Sequence, residues 1–141
     1  MSDVDDITAL VNSYARLLDE GDIDAVADLF AQSTWRSEPP GSVLRGRDEV
    51  RPVYERLLAS AGGNRTKHLL TNLTVQVDRG RTSATAHCYW TVLQRSDPST
   101  PIGIILTGRY LDSFEKVDGT WRFTDRLTVV DLAGDPSPPA A

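Results

Sequence analysis

Val4, Ile7, Leu10, Val11, Tyr14, Leu17 and Leu18 recur at three- and four-residue spacing, a period that predicts an amphipathic first helix. Ser2 or Asp3 can cap it, and the acidic residues of its first turn suit the helix dipole. Gly21 predicts its stop, and Asp22 caps a short second helix carrying Ile23, Val26, Ala27, Leu29 and Phe30. Ser33 to Glu38 reads as a brief strand broken by Pro39-Pro40-Gly41, after which Val43-Leu44-Arg45 leads to Gly46. Val50, Val53, Tyr54, Leu57 and Leu58 define one face of a third helix, capped near Gly46 or Asp48 and ended by Ala61-Gly62-Gly63-Asn64. Pro52 is then expected in or near the first turn, where a missing N–H costs least. The remainder is β in character, rich in Val, Ile, Thr and aromatics, with strands over Lys67–Val77, Thr82–Gln94, Ile102–Val117 and Trp121–Val130. Asp78-Arg79-Gly80-Arg81 and Asp118-Gly119 are tight hairpin signals, and Arg95 to Pro101 is a longer loop.

Helices followed by long antiparallel strands predict an α+β domain with the helices on one face of the sheet. Strands of this length must twist and coil, and a bent sheet closed off by helices leaves a concave pocket where function is to be sought. Residues 1–132 form one domain in this reading, and the Pro- and Ala-rich 133–141 is a disordered tail.

Composition narrows the partners. The 141 residues are 40% apolar and 25% charged, as in a globular domain able to bury a core without metal or disulfide. A net charge of -5 with no basic stripe argues against nucleic acid. Cys88, the single cysteine, sits in an apolar strand and reads as a buried small hydrophobe. No apolar run approaches membrane-spanning length and no signal peptide is evident, so a cytoplasmic protein without membrane contact is expected.

Tyr14 to Phe30 (Tyr-Ala-Arg-Leu-Leu-Asp-Glu-Gly-Asp-Ile-Asp-Ala-Val-Ala-Asp-Leu-Phe), Gly46-Arg47-Asp48-Glu49-Val50 and Thr66-Lys67-His68-Leu69-Leu70-Thr71-Asn72 form a series. It continues with Gly108-Arg109-Tyr110 and Asp118-Gly119-Thr120-Trp121-Arg122-Phe123. On these residues the chain resembles the SnoaL-like group of the nuclear transport factor 2-like superfamily. The resemblance implies a cone-shaped α+β barrel, a strongly curved antiparallel sheet wrapped by three N-terminal helices around an internal pocket. Its members include dehydratases, isomerases, polyketide cyclases, epoxide hydrolases and non-catalytic subunits, so fold alone does not choose the function.

Three residues come forward first. His68 is one of two histidines and opens the first long strand; Tyr14 lies on the stripe of the first helix; Asp19 sits near that helix's end, where the dipole does not favour a carboxylate. The layout is similar to that of scytalone dehydratase-like and bile-acid dehydratase-like members. That likeness implies Asp19 orienting His68, His68 acting as base and then acid, and Tyr14 polarising a carbonyl. Asn72, placed on the same side of its strand, could add a hydrogen bond, while Trp90 and Tyr110 are expected to wall the pocket and contact substrate, with Trp35 beside them. A second layout, Tyr14 with Glu38 as base and Asp112 as a protonated acid, resembles ketosteroid isomerase. Epoxide hydrolase chemistry lacks its Arg-x-Asp pair on Ala84 to Gln94, and His87, sharing its strand face with Tyr89 and Thr91, reads as a second polar pocket or interface residue. No metal-ligand spacing, phosphate loop or dinucleotide fingerprint is present, so no metal or cofactor is expected.

Two readings of function follow. The leading one is a cofactor-independent dehydratase, isomerase or cyclase that moves a proton next to a carbonyl on a small apolar polyketide-, terpenoid- or steroid-like molecule. The other is a non-catalytic binding or assembly module like the small subunit of a ring-hydroxylating dioxygenase. In both, a homodimer through the sheet is expected, because the strands expose more apolar surface than three helices cover.

Overall fold

The computed structural model describes residues 2–60, 66–95 and 98–134. Helix α1 (Asp3–Glu20) starts as the sequence predicts: Ser2 caps it through a capping box with Asp5, and Gly21 ends it in the left-handed conformation at φ 77°. Asp22 then accepts from the Ala25 N–H to cap α2 (Ile23–Leu29). Strands β1 (Thr34–Glu38) and β2 (Val43–Arg45) form a small hairpin, and β2 runs directly into α3 (Gly46–Ser60). Four long strands complete the chain: β3 (Lys67–Val77), β4 (Ser83–Gln94), β5 (Gly103–Val117) and β6 (Thr120–Ala133). The predicted turn residues do close the hairpins. Asp118 and Gly119 both take positive φ (51° and 80°), as a two-residue turn matched to strand twist requires. The predicted helix stop at 61–64 lies outside the described residues.

Four expectations are corrected. Val43-Leu44-Arg45 is a strand, not a connection. Pro52 lies inside α3 rather than in its first turn. The sheet is mixed, in the order β2-β1-β6-β5-β4-β3, because β1 lies parallel to β6 with Trp35 opposite Arg126 and Ser37 opposite Thr128. It is also open, not a closed cone: β2 and β3 are its two edges, and the sheet does not curl strongly. The helices close the inner face instead, α1 against β3 and β6, α3 against β1 and β2. The pairing of the last strand continues through the Gly134 N–H to the Ile105 carbonyl at 2.7 Å, and positions 135–141, which hold most of the expected tail, lie outside the described residues.

The core fills the space between helices and sheet. Ile7, Val11 and Tyr14 descend from α1, Val26 and Phe30 from α2 and its end, and Val50 and Tyr54 from α3. They meet alternate residues of β4, namely Ala84, Ala86, Cys88, Trp90 and Val92, together with Tyr110, Phe114, Trp121 and Phe123. Burial pushes the Cys88 thiol up to about 11, so it packs as a hydrophobe and is not a ready thiolate. Asp3 pins the start of α1 to the sheet by accepting from Trp121 Nε1 (3.0 Å), Lys116 Nζ (3.0 Å) and Arg81 Nε (2.8 Å). Those donors hold its carboxyl far below the usual carboxylate range, Trp121 foremost.

Candidate functional site

Asp19 reaches β3 because α1 ends one residue later at Glu20, leaving its last turn over the start of that strand. One carboxylate oxygen accepts the His68 backbone N–H at 2.8 Å. The other lies 2.6 Å from His68 Nδ1 and accepts the Thr66 hydroxyl at 3.1 Å. Both side chains are largely buried, 10% exposed for His68 and 13% for Asp19. A carboxylate can only accept, so the neutral imidazole must carry its proton on Nδ1 and leave Nε2 with a free lone pair. His68 pairs with Val92 and Leu70 with Trp90, which puts the imidazole on the helix-covered face of the sheet. An open recess of about 370 Å³ along α1 and β3, lined in part by Asn12, Arg16, Lys67 and Leu70, also reaches the pair.

Deeper along the same face stands a second cluster. Arg126 is fully buried and forks onto Asp112, Nε to Oδ1 at 2.7 Å and Nη2 to Oδ2 at 2.9 Å. Its guanidinium lies 3.8 Å from the centre of the Tyr110 ring and 4.3 Å from that of Tyr14. Burial opposes its charge, but the Asp112 carboxylate outweighs that and holds Arg126 protonated. The Tyr14 and Tyr54 hydroxyls share a hydrogen bond of 2.6 Å, and Trp90 stacks on Tyr110 with centroids 5.7 Å apart. Burial pushes the Tyr54 and Tyr110 phenols well above their ordinary range, so both remain O–H groups.

The sequence profile of the SnoaL-like domain matches residues 1–127. The chain belongs to the SnoaL-like domain family. Its fold is that of NTF2-like, cystatin-like proteins, as the resemblance implied. One solved protein described in those terms, from Novosphingobium aromaticivorans, is similar at 24% identity, with 95% of this chain and 84% of that one covered and a TM-score of 0.77. A protein from the same organism, provisionally named a scytalone dehydratase, is 26% identical over 98% of this chain and 90% of that one, with a TM-score of 0.77. A variant of Rv3472, a protein of unknown function from Mycobacterium tuberculosis, is 28% identical over 91% of this chain and 71% of that one, with a TM-score of 0.76. No curated protein matches the chain.

In this SnoaL-like chain the structure brings His68 and Asp19 together; the Tyr14 hydroxyl bonds to Tyr54, and its ring faces Arg126 and Tyr110. Trp90 and Tyr110 are buried on the inner face, as walls of the interior. Asn72 does not share the face of His68. A bulge between Thr71 and Thr74 adds a residue to β3, and Asn72, at φ 57°, is exposed there. The ketosteroid isomerase-like trio does not assemble: Glu38 is exposed at the end of β1, and both Asp112 oxygens already accept from Arg126, so Asp112 is not the hydrogen-bond-donating acid of that layout. His87 lies on the outer face of the sheet beside Tyr89, in a recess of about 410 Å³ that Arg36, Gln76 and Asp125 also line. Among the described residues no three His, Cys, Asp or Glu side chains are placed to hold a metal ion, and no helix is long and apolar enough to cross a membrane.

Sequence reading passed over Tyr54, Thr128 and Arg126 as site residues. Period-two alternation from Trp121 and Phe123 sends Asp125 inward and Arg126 outward. The pairing of Phe114 with Phe123 and Ser113 with Asp125 leaves Thr124 as an extra residue, and that bulge turns Arg126 into the core. The signal available was charge: Asp112 on the preceding strand also reads as a carboxylate paired with Arg109 or Arg126, and the structure pairs it with Arg126.

Proposed function

We propose that this chain is a cofactor-independent enzyme of the dehydratase, isomerase or cyclase type, working by proton transfer next to a carbonyl on a small polyketide-, terpenoid- or steroid-like molecule. The observation that carries this reading is the His68–Asp19 contact of 2.6 Å, which fixes the imidazole tautomer and leaves Nε2 as the base. His68 Nε2 takes a proton from the carbon beside the carbonyl, and electron density moves onto the carbonyl oxygen to give an enolate. The resulting imidazolium, favoured by the carboxylate behind it, returns the proton either to a departing hydroxyl, which leaves as water, or to another carbon. The Tyr14–Tyr54 hydroxyl pair is the candidate donor to the enolate oxygen. Family membership and the likeness to the provisionally named scytalone dehydratase support the reaction class. Loss of turnover in His68→Ala with the fold preserved is the expected result; full activity would overturn the assignment.

The partner belongs to the same proposal. Leu69, Tyr89 and Leu111 are exposed on the outer face of the sheet, and a second copy of the chain covering that face removes them from water.

A further inference from the structure

Four buried polar groups of this interior make no hydrogen bond of ordinary geometry among the described residues, Arg126 Nη1, Trp35 Nε1, Trp90 Nε1 and Thr128 Oγ1, and of these Trp35 alone has an acceptor close by, the Tyr54 hydroxyl. An unpartnered buried polar group costs free energy, so four in one region call for an occupant. They do lie in one region. Trp35 is the direct β1 neighbour of Arg126, and Thr128 follows Arg126 by two residues on the same face of β6, opposite Tyr110. Trp90 occupies the next row, opposite Gly108. A side chain there is excluded: a Cβ on Gly108 would lie 2.5 Å from Trp90 Cζ2, so the glycine is what lets the indole lie flat against β5.

The chemistry of the four groups selects the ligand. Indole N–H and guanidinium N–H only donate, and the threonine hydroxyl can donate, so the occupant presents an acceptor. The Arg126 charge is already matched by Asp112 in a two-bond fork, so the site does not call for a free anion. Aromatic rings of Tyr14, Tyr110 and Trp90 wall it, which suits a flat apolar body. We infer that these groups form an acceptor subsite for a neutral carbonyl oxygen on a ring substrate, remote from the carbon at which His68 acts. The inference deepens the proposed function and rests on it only for the placement of the reacting carbon.

The strand register gives the distance. His68 lies in the row of Val92, Trp90 one row further on, and Thr128 with Tyr110 one row beyond that. Arg126 with Trp35 stands a further row on. Rows on one face are two residues apart, so the subsite begins roughly 7 Å from the His68 row at Trp90 and ends roughly 20 Å from it. Substrates of two or more fused rings with oxygens at both ends fit this separation; a single-ring ketone reaches one end at a time.

A matched pair of probes tests the subsite without a known substrate: 2-acetylnaphthalene, which offers a carbonyl acceptor, and 2-ethylnaphthalene, which has the same outline and none. The chain has three tryptophans. Trp121 Nε1 already donates to Asp3 and serves as an internal control for indole N–H signals in NMR. Both probes shift nearby signals by ring current, and only the ketone is expected to add the downfield shift of a hydrogen-bonded indole N–H at Trp35 and Trp90, with Trp121 in place. Thr128→Val is expected to weaken the ketone about fivefold, the size of one ordinary hydrogen bond. Without ligand the same variant keeps or raises the melting temperature, since no bond is lost. His68→Gln keeps the indole shifts, so a chain inactive as a proton-transfer enzyme still passes. No additional downfield indole shift with the ketone, or Thr128→Val that melts lower and binds the ketone unchanged, would overturn the subsite and assign these groups to structural water.

Discussion

Asp19→Asn is the perturbation that separates the two jobs of the carboxylate. Its oxygens accept from the His68 backbone N–H, His68 Nδ1 and the Thr66 hydroxyl, at 2.8, 2.6 and 3.1 Å. Asparagine keeps one acceptor oxygen. If that oxygen stays with the imidazole, the amide NH₂ meets the His68 backbone N–H and two donors face each other. If it turns to the backbone N–H, the NH₂ donates to Nδ1, and the imidazole proton must move to Nε2. The second arrangement satisfies every group and is the one expected. Charge-assisted bonds of about 1.5–3 kcal/mol become neutral ones of about 0.5–1.5, so the variant loses roughly 1–3 kcal/mol of stability. It also loses the base lone pair, worth about 10²- to 10⁴-fold in rate. Nitrogen-15 NMR of the imidazoles reads the tautomer directly, and urea unfolding reads the stability. A variant that keeps the Nδ1–H tautomer at wild-type stability would refute the reasoning.

Other expectations concern the frame around the dyad. Asp112→Ala strands a buried guanidinium and is expected to cost about 3–5 kcal/mol, while Asp112→Leu with Arg126→Met recovers most of it in urea unfolding. An equal loss in both variants would remove the stranded charge as the cause. Asp3 titrates far below its ordinary value because Trp121, Lys116 and Arg81 donate to it. A depressed carboxylate stabilises the fold above its unfolded pKa and stops doing so as pH falls through the folded one. Asp3→Asn therefore melts below wild type at pH 7, and the gap narrows as pH drops below the ordinary aspartate range; a gap independent of pH would sink this assignment. Leu111→Arg on the outer sheet face is expected to convert a dimer to monomer in sedimentation velocity, with the near-UV spectrum unchanged.

The elements were legible where local chemistry decides them. Ser2 with Asp5 starts α1, Gly21 stops it in a conformation glycine tolerates, and Asp118-Gly119 folds its hairpin, each from contacts a few residues apart. The dyad was legible through the family resemblance, with Asp19 drawing notice as a carboxylate at a helix end that does not favour it; the packing of that end over the start of β3 is what brings it to His68. What escaped depends on pairing between distant segments. Nothing near β1 announces that it lies parallel to β6, and without that partner β2 has no reason to read as a strand. Bulges were the other loss. One extra residue in β3 carries Asn72 off the face of His68, and one in β6 carries Arg126 inward, so period-two counting fails at both.

Deuterium exchange tests the proton-transfer assignment most directly and needs no knowledge of the natural substrate. Fused-ring hydroxy ketones incubated with the protein in D₂O are followed by proton NMR at the carbon beside the carbonyl. Wild type is expected to wash deuterium into that position, or to eliminate water from it, well above the buffer rate, and His68→Gln to do neither. Exchange in His68→Gln as fast as in wild type would contradict His68 as the base, and no exchange with any ketone in wild type would leave the chain as a binding module.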